Sequence, residues 1–363
     1  MTIPYYEVKN KLSAGAFGIV WIINMNEKEY AMKTVKIHEE YMNREEGIIK
    51  SLEHKNIVQY IQSWIKDQTL HIVMECLPTT LREYILYNSF TCEELKAVTR
   101  CIFSGLEYLN SKSICHRDIK PDNLLFNPSH LCVKICDFGC AKVVEDGEGN
   151  TAYVCSRYYR APELILGANL YSCAIDIWSA GCVIAELTTK KVLFKGYDSE
   201  RHQLSEIIKV IGMPNCYDCL KMNVKRFRYN GEIKTRNLID ILHNDMQFEL
   251  IDILSKIFIF DPSKRITAHD ALQHRYFTKQ SVLDICLSSI RAEYKLGNID
   301  NIEECVRNLY KLMNEKHNMD LKLQEKIHDI NITHLSSPNN NGKSKWPSPV
   351  AGVFTRIKNK DGK

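Results

Sequence analysis

Between Ile114 and Lys142 the sequence reads ICHRDIKPDNLLFNPSHLCVKICDFGCAK, and three side chains in it, Asp118, Asn123 and Asp137, stand in an ordered spacing. Asp118 follows His116 and Arg117, Asn123 comes next, and Asp137 opens an Asp-Phe-Gly triplet after an alternating strand, Leu131 to Ile135. A carboxylate and a carboxamide are hard oxygen ligands suited to magnesium, and a second carboxylate can accept the proton of a hydroxyl nucleophile. These are the needs of in-line phosphoryl transfer, with Asn123 and Asp137 as metal ligands and Asp118 as the base. Lys120, just beyond Asp118, is an extended cation able to offset charge on a transferring phosphate. The bland alternative is a polar turn between strands, where Asp and Asn are common. Turn propensity alone does not order so many residue types at fixed spacing.

The groups around this stretch must hold a nucleotide against it. Tyr5 to Val35 reads as strands broken by turns: VKNKL, SAGAFG, IVWIINM, the polar turn NEKE, then YAMKTVKI. The small-residue turn is where backbone could close over phosphates. Lys33 lies on the third strand, and Glu45 falls on a helical segment, Glu39 to Leu52, sharing a face with Met42, Ile48, Ile49 and Leu52. A carboxylate in an apolar stripe needs a partner, and Lys33 is the natural one. His54 to Glu75 resumes strand character and runs into a hinge near Pro78, where Glu75 to Leu77 can present backbone to an adenine edge with Met74 behind it. Cys136 would border the same pocket. Thr91 to Ser111 carries Leu95, Val98, Ile102, Leu106 and Leu109 at helical spacing, a core stripe.

Composition bounds the class. The chain has 363 residues, enough for two lobes with separate cores, and its formal charge of +4 gives no argument for nucleic-acid binding. The N-terminus lacks an apolar leader and no apolar run approaches bilayer length, so neither secretion nor membrane insertion is expected. Fourteen cysteines are scattered without framework spacing, which fits a reducing cytoplasmic setting, with nuclear entry open because the basic end is dispersed. Cys216 and Cys219 form a lone CxxC, read as structural or incidental in preference to zinc. Asn331 to Thr333 matches a glycosylation sequon, incidental without a secretory signal.

Downstream of Asp137, a loop rich in Glu, Asp and Gly leads to Thr151-Ala-Tyr153-Val-Cys-Ser-Arg-Tyr-Tyr-Arg160-Ala-Pro-Glu163. Glu163 in a buried turn needs an arginine, for which Arg265 is the candidate. Asp176 heads an apolar helix to Leu187 and is expected to hydrogen-bond the backbone near Asp118. Leu204 to Phe277 reads as further helices, 279–335 as a helical extension, and 336–363 as a Ser/Asn/Pro-rich, basic tail.

Residues 5 to about 278 resemble a eukaryotic protein kinase of the cyclin-dependent, mitogen-activated and glycogen synthase kinase group, most closely the glycogen synthase kinase 3 (shaggy) family. The resemblance is carried by Asn43-Arg-Glu45, His116 to Leu125, Cys136 to Lys142, Cys155 to Ile165 and Ile175 to Leu187. It implies an α+β bilobal fold with an N-lobe of about 5–74, a hinge at 75–78 and a C-lobe at 79–278. It also implies an ATP- and magnesium-dependent serine/threonine kinase acting on protein substrates. The catalytic set is Asp118, Lys120, Lys33 and Glu45. The nucleotide site draws on Leu12, Ser13, Ala14, Gly15, Ala16, Phe17, Gly18, Ile19, Val20, Ala31, Lys33, Met74, Glu75, Leu77, Asn123, Leu125, Cys136 and Asp137. Glu163, Asp176 and Arg265 are structural supports.

Within the resembled family, substrates already phosphorylated four residues C-terminal to the target are favoured, their phosphate held by three cations that fall here on Arg44, Arg117 and Lys142. Tyr153 matches the tyrosine that the family phosphorylates on itself. The chain also departs from the pattern. Ser13 replaces the first glycine of the phosphate loop, which predicts weaker ATP affinity. Thr151 makes a Thr-Ala-Tyr resembling the dual phosphorylation motif of mitogen-activated kinases, so that a phosphate on Thr151 would fill the cation pocket from within the chain. The first strand begins so early that the family's N-terminal inhibitory serine segment is not expected, and Tyr197 to Asn244, where the family docks scaffolds, diverges, leaving such partners unknown. An inactive scaffold on the same fold is a further reading, opposed by the presence of Lys33, Glu45, Asp118, Asn123 and Asp137 together.

Overall fold

The computed structural model describes residues 4–15, 18–37, 44–144, 149–151, 155–224, 236–242 and 248–278. Ala16, Phe17, Met42, Tyr153, the helical extension 279–335 and the tail 336–363 lie outside the described residues.

The N-terminal lobe is a five-stranded antiparallel sheet in the order β1-β2-β3-β5-β4, built from β1 (Glu7–Gly15), β2 (Gly18–Met25), β3 (Lys28–Lys36), β4 (Tyr60–Lys66) and β5 (Thr69–Glu75). Two hairpins set its register. Asn26 and Glu27 join β2 to β3, and Asp67 and Gln68 join β4 to β5, all with φ between 48° and 63°. Positive φ at both central residues is what a two-residue loop needs to follow strand twist. One face of the sheet closes on Ile23, Met25, Met32, Trp64 and Val73. The other faces α1 (Arg44–Lys50), whose Ile48 and Ile49 pack with Leu70, Ile72 and Met74. Strand character begins at Tyr60, later than the expected His54, because Asn56 and Val58 instead exchange backbone hydrogen bonds with Ile135.

The C-terminal lobe opens with β6 (Thr79–Thr80), α2 (Leu81–Tyr87) and α3 (Cys92–Ser111). Thr91 caps α3 in a reciprocal box with Glu94, and Leu95, Val98, Ile102, Leu106 and Leu109 are buried. Short strands follow: β7 (Ile114–Cys115), β8 (Leu124–Asn127), β9 (Cys132–Ile135) and β10 (Lys142–Val143), with β8 pairing β9 and β7 pairing β10. Leu131, expected in β9, has φ 49° and turns the chain into it. After α4 (Pro162–Ile165) comes α5 (Ala174–Thr189), in which every residue from Ile175 to Leu187 is buried. An all-round apolar helix can only be an axis for others to pack on. Around it lie α6 (Glu200–Ile211), α7 (Cys216–Lys221), α8 (Leu238–Leu242), α9 (Phe248–Ile257), α10 (Ala268–Gln273) and α11 (Arg275–Thr278). No described helix is long and apolar enough to cross a membrane. Cys216 starts α7 exposed, and the described residues contain no cluster able to hold a metal through His, Cys, Asp or Glu.

Candidate active site

Strand pairing brings the candidate groups together. Lys33 stands on β3 between Val20 of β2 and Ile72 of β5. Its Nζ donates to Glu45 Oε1 and Oε2 at 2.7 and 2.8 Å and to Asp137 Oδ1 at 2.7 Å. Burial disfavours the Lys33 ammonium, but the two carboxylates outweigh it and hold its pKa above the ordinary value. Burial likewise opposes ionisation of Asp137, and Lys33, aided by His116 and the Gly139 amide, holds its carboxyl below the usual range. Asp137 adopts φ 63°, a left-handed conformation uncommon for a side-chain-bearing residue. Gly139 sits where a Cβ would come within 3.4 to 3.5 Å of Lys33 Nζ, Asp137 Oδ1 and Glu45 Oε2, so a small residue suits that position.

The segment carrying Asp118 hangs from α5. Asp176 Oδ2 and Oδ1 accept the backbone N–H groups of His116 and Arg117 at 2.6 and 2.9 Å. Arg117 also has positive φ, 65°. Asp118, 6% exposed, uses both oxygens: Oδ2 accepts from Lys120 Nζ at 2.7 Å and Asn123 Nδ2 at 3.0 Å, while Oδ1 accepts from Ser156 N and Oγ at 3.0 and 2.9 Å. Lys120 Nζ also reaches Ser156 Oγ at 3.1 Å. Sequence reasoning missed Ser156 as a site residue; its place in the Cys-Ser-Arg run showed family membership but no contact.

The donor set suits a divalent cation. Asn123 spends its amide nitrogen on Asp118, and its Oδ1 takes no hydrogen bond among the described residues. Its carbonyl accepts the N–H of Cys136 at 3.0 Å, and Leu124 pairs with Ile135, so the sheet sets Asn123 beside Asp137. A carboxamide oxygen and an ionised carboxylate brought together in this way match magnesium's preference for hard oxygen ligands.

Of the nucleotide-site residues, Leu12, Ser13, Ala14 and Gly15 are exposed on β1, and Ser13, Ala14 and Gly15 pair with Val20, Ile19 and Gly18. Ala31 pairs with buried Met74 across β3 and β5. Glu75 ends β5 with its carboxylate on Gln59 N and Lys134 Nζ, both at 2.6 Å, and its own backbone N–H donates to Gln59 O at 3.0 Å. Leu77, Leu125 and Cys136 are half-buried, and burial pushes the Cys136 thiol up.

Arg117 is 7% exposed, and its Nε donates to Cys140 O at 2.6 Å and its NH1 to Tyr171 Oη at 3.2 Å. The Tyr171 hydroxyl donates onward to Thr151 O at 2.9 Å. Lys142 pairs in β10 opposite Cys115 and donates to Asn150 Oδ1 at 2.8 Å. Arg44 is exposed at the start of α1. Arg117 through Tyr171 and Lys142 through Asn150 thus reach one loop patch at the adjacent residues Asn150 and Thr151.

Two ionic supports complete the lobe. Glu163 and Arg265, each with a side chain 1% exposed, form a two-pronged pair at 2.7 Å on both arms. A second contact set escaped the sequence: Arg82 donates to Glu186 Oε1 and Tyr159 Oη at 2.6 Å each, and Tyr159 donates to Glu186 Oε2 at 2.7 Å.

Residues 6–277 match the family model described as protein kinase domain. The chain is also 38% identical over 286 residues to the protein described as "Protein kinase gsk3" of Schizosaccharomyces pombe, a match covering 75% of this chain and 74% of that one.

Proposed function

The chain belongs to the eukaryotic protein kinase family and resembles glycogen synthase kinase 3, and from that premise we propose that it phosphorylates serine and threonine in proteins already phosphorylated four residues C-terminal to the target. The observation that carries this reading is Arg117. Its guanidinium is buried, yet its partners among the described residues are the neutral oxygens of Cys140 and Tyr171. A buried cation held only by neutral acceptors gains most when an anion joins it, and a phosphate dianion offers charge and bidentate geometry together. Lys142 reaches the same loop patch through Asn150, and Arg44 would close it from α1.

Chemistry at the other end follows from the contacts. Asp118, oriented by Asn123, accepts the proton of the substrate hydroxyl as it attacks, in the position that Ser156 Oγ now contacts. Lys120, beside Asp118, offsets charge on the transferring phosphate, and Lys33, fixed by Glu45, holds the ATP phosphates. Magnesium held by Asn123 Oδ1 and Asp137 would neutralise phosphate charge. The scattered cysteines support a reducing, cytoplasmic or nuclear, setting.

One observation favours a second reading. The Arg117–Tyr171–Thr151 chain of hydrogen bonds sets exposed Thr151 one hydroxyl away from the guanidinium. A phosphate on Thr151 would then fill the patch and activate the enzyme from within. The deciding experiment measures the phosphorylation rate of one serine peptide with and without phosphoserine four residues C-terminal. A strong preference for the primed form, lost in Arg44→Ala, is expected; equal rates would overturn the priming reading in favour of Thr151.

A further inference from the structure

Arg82, Asp122, Tyr159 and Glu186 converge from four separate parts of the chain, and proton transfer at Asp118 uses none of them. Arg82 is the second residue of α2. Its NH1 donates to Glu186 Oε1 and its NH2 to Tyr159 Oη, both at 2.6 Å, and its Nε to Asp122 Oδ2 at 3.4 Å. Tyr159 Oη donates in turn to Glu186 Oε2 at 2.7 Å. Backbone ties two members to the reacting groups. The Tyr159 amide donates at 3.0 Å to the carbonyl of Ser156, whose hydroxyl touches Asp118 Oδ1. Asp122 sits in the turn that the Asn123 amide closes on Lys120 O at 3.0 Å, between two residues whose side chains both donate to Asp118. The cluster therefore borders the place where a substrate hydroxyl meets its base. It also reaches the surface: the Asp122 side chain is 50% exposed and that of Arg82 29%, over a Glu186 that is 2% exposed.

Two carboxylates beside a substrate path attract a cationic side chain, and a guanidinium suits them best because its fork of N–H groups matches carboxylate oxygens. Here the chain fills that position with an arginine of its own. We propose that Arg82 is a specificity-determining residue: it occupies an acidic subsite formed by Glu186 and Asp122, so that the enzyme takes protein segments without requiring a basic residue beside the target serine or threonine. A tethered guanidinium competes at an effective concentration that a substrate arginine does not match. An incoming cation also meets the charge of Arg82 itself, so the subsite discriminates by occupation and by repulsion together. Removing Arg82 opens a guanidinium-sized space onto Glu186 and leaves a carboxylate without its cation, the condition in which a substrate arginine gains most. The Glu163–Arg265 pair is the contrast, with both side chains 1% exposed and no face turned to a substrate. This role for Arg82 rests on the serine/threonine kinase reading and is independent of priming.

The test measures kcat/KM of the full chain for a primed serine peptide carrying one arginine, placed in turn at each position near the target, against the same peptide with alanine there. The parent enzyme is expected to give arginine-to-alanine ratios within about threefold of one throughout. Arg82→Ala is expected to favour arginine by at least about tenfold at one position. Guanidinium chloride below denaturing concentration should erase that preference by refilling the space. Arg82→Gln, which keeps more of the packing, should shift in the same direction, and Arg82→Lys, which keeps the charge, should hold the parent's ratios; melting temperatures check the fold of all three. A parent enzyme that already favours arginine about tenfold would overturn the proposal. So would variants that phosphorylate the alanine peptide yet gain no preference for arginine. Absence of phosphate transfer from the parent to any peptide would instead overturn the serine/threonine kinase reading beneath it, which keeps the two failures apart.

Discussion

Lys142 donates its ammonium to the side-chain oxygen of Asn150 at 2.8 Å, so a neutral amide stands in the patch that Arg117 reaches through Tyr171. If that patch takes a substrate phosphate, a carboxylate at the same position should compete with it. Asn150→Asp is expected to raise KM for a primed peptide by about tenfold, the effect of roughly 1.4 kcal/mol of charge competition. KM for the unprimed peptide should change little. Equal effects on both peptides would place the patch away from the substrate phosphate.

Asp118 accepts hydrogen bonds from Lys120, Asn123 and Ser156. An asparagine keeps its shape but not its basicity. Asp118→Asn is expected to lower kcat by about 10²- to 10⁴-fold with a near-parental melting temperature. Near-parental kcat in a clean preparation would remove Asp118 from proton transfer.

Glu163 and Arg265 are buried together, and Arg265 also lies over the Trp178 ring at 5.1 Å. Removing one partner leaves an uncompensated buried charge, which costs about 3–5 kcal/mol. Glu163→Gln should therefore shift the urea midpoint sharply downward. A loss under about 1 kcal/mol would mean that the carbonyls of Ile259, Phe260 and Ala174, which Arg265 also reaches, suffice on their own.

The two described glycines of the phosphate-loop turn should differ. Gly18 has φ +118°, and a Cβ there would lie 2.4 Å from Thr34 O, whereas nothing lies within 4 Å of a Cβ on Gly15. Gly18→Ala is expected to cost about 1–3 kcal/mol and Gly15→Ala less than about 0.5. Thermal melts of the two variants compare them directly, and equal losses would sink the distinction.

Burial, with Asp118 and Asp137 adding to it, pushes the Cys140 thiol up to about 11. Only about one thiol in a thousand is then ionised at pH 8. Iodoacetamide at that pH should label exposed Cys92 and Cys216 well before Cys140. The Cys140 rate should climb about tenfold per pH unit until its pKa is reached, and unfolding in urea should make it label early. Fast labelling of Cys140 in the folded chain at pH 8 would contradict the buried setting.

The contacts legible in the sequence are those that burial makes compulsory. Glu45 in an apolar stripe points to Lys33, Glu163 in a buried turn to Arg265, and Asp176 on an apolar helix to backbone N–H groups; all three contacts are present. The Arg82–Tyr159–Glu186 set was not legible, since each member looks like an ordinary surface or helix residue until the fold joins positions 104 residues apart. The same holds for Lys142 with Asn150, where no periodicity marks a loop amide as a partner. The strand expected from His54 failed for a similar reason: the segment's backbone bonds go to Ile135, far along the chain. Periodicity reports which face is buried, but not what it is buried against.

The Asp176 clamp also sets a timescale. The amide hydrogens of His116 and Arg117 end on a carboxylate anchored in α5, a helix buried on all sides. Exposing them to solvent exchange requires that helix to shift, so their opening free energy approaches that of the whole lobe instead of that of a surface loop. The backbone that carries Asp118 can therefore fray only when the core beneath it unfolds.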